Sequence, residues 1–170
     1  MPDPISKKAA LKILTASCSP SVVEHCKAVS REAKKIAEKI KANGHDVDVD
    51  FVETAALLHD IGRSVTHDIM HGVEGARILR EHPEYARVCC CHLGGGIDRE
   101  EAETLGLPTG DYLPKTLEEK IICYADKLVE GAGKITLPES IKKFSDRLGP
   151  DHPTIKRIKE LDEELRGLMG

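Results

Sequence analysis

The 170-residue chain has no tryptophan and only two phenylalanines and three tyrosines. Large aromatic anchors are therefore scarce in any core, and a nucleobase would find few rings to stack on. Positive charge is not in surplus either: 25 Lys and Arg face 29 Asp and Glu, a net charge of −4. Without a dense basic stripe, duplex nucleic acid is not expected as a partner. A small phosphorylated substrate needs only two or three local cations and stays open. No apolar run approaches the ~18 residues of a membrane span. The first residues, Met1-Pro-Asp-Pro-Ile-Ser-Lys-Lys8, lack the apolar centre of a signal peptide. A cytoplasmic protein with no membrane partner is the expectation. Cys-x-x-Cys pairs are absent among Cys18, Cys26, Cys89, Cys90, Cys91 and Cys123. Consecutive helical residues point about 100° apart, so Cys89 to Cys91 do not readily share one zinc. Small buried thiols in a reducing compartment are the reading, with a redox or zinc role as the alternative.

What is present is helical periodicity. Apolar residues recur at helical spacing and no strand-like alternation persists, which predicts an all-α fold in a single domain over 1–170. A first short helix covers about Ser6 to Thr15. A second starts after Ser19-Pro20, carries Val22, Cys26, Val29, Ala33, Ile36 and Ile40 on one face, and stops at Asn43-Gly44. Asp50 with Glu53 suggests a capping box for a third, ending near Ile61-Gly62. A fourth covers His71 to Arg80, and a fifth runs from Pro83 to His92. Residues 93–115 read as a long loop with one helical turn near Arg99 to Thr104, of the kind often functional or mobile. A sixth helix spans Leu117 to Val129, and two more lie near Pro138 to Leu148 and Pro153 to Leu168. The last carries an Ile155, Ile158, Leu161, Leu165, Leu168 stripe that suits core packing or, alternatively, a homodimer seam.

The third helix ends in the doublet His59–Asp60. An imidazole beside a carboxylate among apolar neighbours needs a partner, and a metal ion is an obvious one. Matching ligand types follow at intervals: His25 before the doublet, His71 and His92 after it, Asp126 last. His25, His59, Asp60, His92 and Asp126 each lie three or four residues from an apolar residue of their own helix, so they share its inward face. One inward histidine is usually a satisfied core residue. Six ligand types in this order are not so easily dismissed.

That order, with Leu57-Leu-His-Asp-Ile-Gly-Arg63, His71-Gly-Val-Glu-Gly-Ala76 and Tyr124-Ala-Asp-Lys-Leu128, resembles the HD-domain metal-dependent phosphohydrolase superfamily over about residues 20–130. The resemblance implies a core of five helices, the second to sixth here, with the first helix and a C-terminal extension of about 134–170 added around it. It implies a first metal on His25, His59, Asp60 and Asp126, and a second on His71 and His92 with Asp60 bridging. The surroundings of His71 are similar to those in bacterial HD hydrolases that cleave diadenosine polyphosphates with a di-iron centre. Imidazole and carboxylate together suit one or two ions of Fe, Mn, Co, Ni or Zn better than Ca. Such ions lower the pKa of bound water to about 7, so that a metal-bound hydroxide can attack phosphorus at neutral pH.

The expected activity is therefore hydrolysis of a phosphate ester, cyclic phosphodiester or nucleotide, with Asp60, Arg63 and Lys127 as catalytic residues. Arg63 and Lys127 would also contact phosphate, against the blander reading of solvated surface charges. His67, one turn before His71, could meet substrate or replace His71 as ligand. Gly75 could let the fourth helix approach the metal. Gly94-Gly95-Gly96 offers backbone N–H groups near the metals, although it lacks the Gly-Lys-Ser/Thr ending of a P-loop. Tyr112 and Tyr124 are the candidate base platforms. His45, His82 and His152, at apparent helix ends, read as exposed. Two other classes compete: a di-iron oxygenase of the same fold, and a non-catalytic, metal-stabilised ligand sensor.

Overall fold

Most helix starts in this chain carry side-chain caps. In the computed structural model, which describes residues 2–170, Ser6 accepts from the Ala9 N–H and starts α1 (Lys7–Ser17). Pro20 opens α2 (Pro20–Ala42), which closes at Asn43 and the positive-φ Gly44. Asp48, not Asp50, caps α3 (Val49–Leu58), its carboxylate accepting from the Phe51 N–H at 2.9 Å. Glu53 is therefore not part of a capping box. It pairs with Lys7 and Lys34, tying α3 to α1 and α2.

The chain then makes a 3-10 turn (Ile61–Ser64), α4 (His71–Ile78), α5 (Pro83–Cys91), α6 (Arg99–Thr104) and α7 (Leu117–Lys127). A hairpin of β1 (Val129–Glu130) and β2 (Gly133–Lys134) follows, then α8 (Leu137–Leu148) and α9 (Pro153–Met169). Complete capping boxes start α6, α7 and α8. Helix accounts for 66% of the chain, as an all-α fold requires. The hairpin, too short for a periodic pattern, is the one regular element the sequence does not announce.

The core forms where α3, apolar on nearly every side, packs against α1, α2, α5 and α7. The α2 face from Val22 to Ile40 is buried against it, as the spacing predicts. In α9, Ile155, Ile158, Leu161 and Leu165 are all buried, with α9 packed on α2 and α7. That stripe is intrachain core, so the homodimer seam read from it falls.

Residues 93–115 are held in place rather than loose. Ile97 and Tyr112 exchange backbone hydrogen bonds of 3.2 and 3.1 Å, above a small cluster of Leu93, Ile97, Ala102, Leu107 and Tyr112. Arg157 of α9 grips Gly96, Asp98 and Glu101. Arg87 of α5 donates to the carbonyls of Asp111 and Leu113. Two glycines serve close approach. A Cβ on Gly62 would sit 1.7 Å from the His71 carbonyl oxygen, and one on Gly75 would lie 3.0 Å from Cys89. Gly75 thus lets α4 meet α5 and the 3-10 turn. All six cysteines are free thiols, four of them buried.

Candidate metal centre

Five helices and the 3-10 turn deliver the six ligand-type side chains to one point. α2 brings His25, α3 ends at His59, Asp60 precedes the turn, α4 starts with His71, α5 ends at His92, and α7 brings Asp126. His59, Asp60, His71 and His92 are all at most 5% exposed. Two clusters share Asp60. On its Oδ2 side, Nε2 of His25 and His59 lie 3.7 and 3.6 Å away, and the same nitrogens lie 3.0 and 3.4 Å from Asp126 Oδ1. On its Oδ1 side, Nε2 of His71 and His92 lie 3.2 and 3.1 Å away and 3.2 Å from each other.

The imidazoles are turned by the backbone. Nδ1 of His25 donates to the Gly131 carbonyl at 2.7 Å, Nδ1 of His59 to Ala56 at 2.6 Å, and Nδ1 of His71 to Asp68 at 2.7 Å. A carbonyl only accepts, so Nδ1 carries the proton and the neutral ring presents a bare Nε2 lone pair. Those lone pairs face carboxylate oxygens, acceptor against acceptor. His59 Nε2 and Asp60 Oδ1 are buried without any hydrogen-bond partner, and so is His92 Nδ1. Buried polar atoms seldom stay unpaired. A cation between them would satisfy the arrangement, and metal-bound histidines usually donate their other ring N–H to a backbone carbonyl or carboxylate that fixes the ring, as three do here. The mixed imidazole–carboxylate donors fit a divalent transition metal. Two groups, His25–His59–Asp126 and Asp60–His71–His92, could each hold one.

Electrostatics agree. Burial alone would raise the Asp60 carboxyl, but His59, His71 and His92 hold it well below the usual range. Burial opposes Asp126 likewise, and Lys127 with His25 and His59 hold it well below. Burial pushes His92 down to about 4 against the pull of Asp60. For His59 burial also pushes down, yet Asp60, with Cys26 and Asp126, raises it well above the ordinary imidazole value, so without a metal a proton on Nε2 takes the place between the carboxylates that a cation would fill. Two ionised carboxylates thus sit in a buried site that attracts positive charge.

A cavity of about 860 Å³ opens from this centre. Arg63, His67, Gly94 and Lys127 line it. Arg63 Nε donates to Asp60 Oδ2 at 3.0 Å and NH1 to the His67 carbonyl at 3.3 Å. Lys127 is not the surface charge considered above. It is 4% exposed, with Nζ 2.8 Å from both the His92 carbonyl and Asp126 Oδ2. Burial would lower its pKa, but Asp126 raises it.

Three expected substrate contacts lie elsewhere. A Cβ on Gly95 would lie 2.8 Å from Arg157, so this glycine serves the seating of α9. Tyr112 is buried, its phenol donating to Pro108. Tyr124 is buried too and donates to Asp162. Neither tyrosine lines the cavity, which takes its aromatic ring from Phe144. Arg147 and His152 join it there, residues the sequence offered only as parts of an added helical extension. His152 is half-buried rather than exposed, because its Nδ1 accepts from the Thr154 N–H and caps α9. His82, against Tyr85, and His45 are also half-buried. The role of Gly131 had no signal at all, since a backbone carbonyl leaves no mark on residue type.

The HD domain family model matches residues 22–131. An uncharacterized protein of Methanocaldococcus jannaschii is 52% identical over 163 residues, covering 94% of this chain and 96% of that one. A tRNA (cytidine(56)-2′-O)-methyltransferase of Picrophilus torridus is 38% identical over 152 residues, which are 88% of this chain but 42% of that protein. Among solved structures, the HD domain of the L. monocytogenes phosphodiesterase PgpH in complex with cyclic-di-AMP has a TM-score of 0.57 at 19% identity. That match covers 94% of this chain and 96% of the other, and it shows a shared fold.

Proposed function

The chain belongs to the HD-domain superfamily of metal-dependent phosphohydrolases, and from that premise we propose that it hydrolyses a phosphoester bond of a small nucleotide, either a monoester or a cyclic diester. The observation that carries this reading is the buried pair of acceptors, His59 Nε2 and Asp60 Oδ1, left without a donor at the meeting point of six ligand-type side chains. His25, His59, Asp60 and Asp126 would hold one ion, and Asp60, His71 and His92 a second. Fe, Mn, Co, Ni and Zn all suit that donor set. When bound, the metal supplies Lewis acidity toward a phosphoryl oxygen and a water acidified to near-neutral pKa.

The residues around the centre divide the remaining work. Asp60 faces both clusters, so one side chain sets their separation. Gly131, Ala56 and Asp68 fix three imidazoles by accepting from Nδ1. Lys127 holds Asp126 ionised and in place, and of its three N–H bonds only two are used within the protein. The third is suited to a phosphate oxygen. Arg63, anchored by Asp60, lines the same cavity and is suited to another. His67 stands at the rim as a further substrate contact. The nucleotide preference is supported by the cavity volume, well beyond what phosphate alone needs, and by the cyclic-di-AMP bound to the PgpH domain.

The test is to load the metal-free protein with each of the five metals and assay mononucleotides, cyclic nucleotides and cyclic dinucleotides. Metal-dependent release of phosphate or of a linear nucleotide is expected. Tight metal binding without turnover of any phosphoester would overturn the reading.

A further inference from the structure

We propose that the outer half of the cavity is a nucleoside subsite, formed by the end of α6, the end of α8 and the start of α9. This deepens the phosphohydrolase reading and rests on it for the position of the phosphate. One cavity is lined both by His71, His92, Asp126 and Lys127, from the ligand cluster, and by Phe144, Arg147 and His152, from α8 and the start of α9. The two ends differ in chemistry. The inner end offers carboxylates, imidazoles and an ammonium, which suit metal and phosphate. The wall from α6, α8 and α9 offers flat and aliphatic surface beside Glu100 and the carboxylates of Asp98 and Glu101, which Arg157 pairs.

Arg147 lies over the Phe144 ring, its guanidinium carbon 5.0 Å from the ring centroid. It makes no ion pair among the described residues. A guanidinium stacked on one ring presents its outer face to a second flat π system. Leu105 and Leu148, at the ends of α6 and α8, also line the cavity and are 48% and 41% exposed. Two large aliphatic side chains left in water at one cleft mark an apolar contact surface for a ligand. His152 adds a directed donor. Its Nδ1 accepts from the Thr154 N–H at 3.2 Å, so the neutral ring carries its proton on Nε2, as a sugar hydroxyl or phosphate oxygen requires. A flat ring flanked by aliphatic walls, a sugar beside a donor and a phosphate toward the metal ligands together describe a nucleoside phosphate.

AMP and ribose 5-phosphate share sugar and phosphate and differ only in the base, so they isolate the subsite. Titration of the metal-free full chain with each, followed by ligand-observed NMR, needs no turnover. AMP should bind roughly tenfold more tightly, in the range of one stacked base. Arg147→Ala, at an exposed side chain, and Phe144→Leu should each remove most of that preference. Equal affinity for the two ligands in the unaltered protein, or a preference untouched by Arg147→Ala, would overturn the subsite. Absence of hydrolysis with any metal would overturn the phosphohydrolase reading instead. A base preference lost in Arg147→Ala would leave the subsite standing even then.

Discussion

The two ends of the cavity are built on different principles. At the inner end every ligand-type side chain but His25 and Asp126 is nearly inaccessible, and three of four imidazoles are locked by backbone carbonyls. At the outer end the side chains are half-buried or exposed, and only His152 is fixed by a hydrogen bond to the backbone. The inner end lies on the helices that make the core, so its geometry is as rigid as the packing around it. The outer end lies on α6, α8 and α9, at the periphery. Rigid placement serves bond cleavage, where small displacements are costly. A looser, more exposed wall would suit the proposed selection among substrates. Changes at the inner end should therefore abolish activity, whereas changes at the outer end should shift preference.

Asp60→Ala is the sharpest test of that division. It removes the one carboxylate facing both clusters and the anchor of Arg63. Changes in supporting residues of metal sites typically cost 10–100-fold, so loss of this side chain should lower kcat/KM by more than about 100-fold. Steady-state hydrolysis with bound metal measured on the same sample checks it. Near-normal turnover would place the chemistry elsewhere.

Next in size are the two clusters themselves. His71→Ala should lower the saturating stoichiometry from about two metals to about one, as expected for a two-metal site. His25→Ala should weaken the other position. Anaerobic titration of the metal-free protein with Mn or Fe reads both. A stoichiometry of one in the unaltered protein, unmoved by His71→Ala, would leave a single ion and make His71 and His92 substrate contacts.

The pH dependence of the metal-free protein is a milder probe of the inner end. Asp60 and Asp126 have folded pKa values held well below their unfolded ones. Their contribution to stability is present above pH ~4 and is lost as pH falls through the folded values. His92, pushed to about 4, costs stability between its unfolded value near 6.5 and that point, because the unfolded ring takes up the proton first. His59 acts oppositely. Its folded pKa is raised, so its contribution is present below about 6.5 and lost as pH rises. Below about 6.5 the His59 contribution is constant, so stability begins to fall with His92 and falls further below about 4 as the carboxylates take up protons. Urea denaturation at pH 6 and pH 3 reports it. Equal midpoints would contradict the carboxylate assignment.

The smallest effect calibrates the rest. Glu53→Gln breaks the pairs with Lys7 and Lys34, remote from both ends of the cavity. Partly exposed ion pairs are weak, so Tm should fall by no more than about 3 °C. Hydrolysis should be unchanged. A loss of activity would show that α1 and α3 transmit to the centre.

Much of the fold was legible before any coordinates. The apolar face of α2, the proline starts of α2, α5 and α9, and the stripe of α9 follow from spacing and backbone chemistry alone. The start of α3 was misplaced because Asp48 and Asp50 offer the same carboxylate two residues apart. Only the direction of the chain entering the helix decides which one reaches an N–H. Of the two readings open to a long segment at 93–115, functional or mobile, the packing favours the first, because Arg87 and Arg157 hold its carbonyls and carboxylates and part of it lines the cavity. The base platform was sought at Tyr112 and Tyr124, which turned out to be core residues whose hydroxyls are already satisfied.

What the sequence by itself determined is the inventory: which side chains can donate to a metal, and on which helices they ride inward. Local periodicity places these residues on inward faces, because burial on a helix repeats every three or four residues, and the family resemblance singles out the six as ligands. Tertiary structure alone decided which lone pairs point where. The Nδ1 protons of His25, His59 and His71 are claimed by backbone carbonyls, one of them 106 residues away in a hairpin no pattern foretold. It alone buried Lys127 against Asp126 and brought Phe144, Arg147 and His152 to the cavity that His71, His92 and Asp126 also line. Carbonyl positions and the facing of one helix toward another depend on how the whole chain packs, and neither is written in the identity of any single residue.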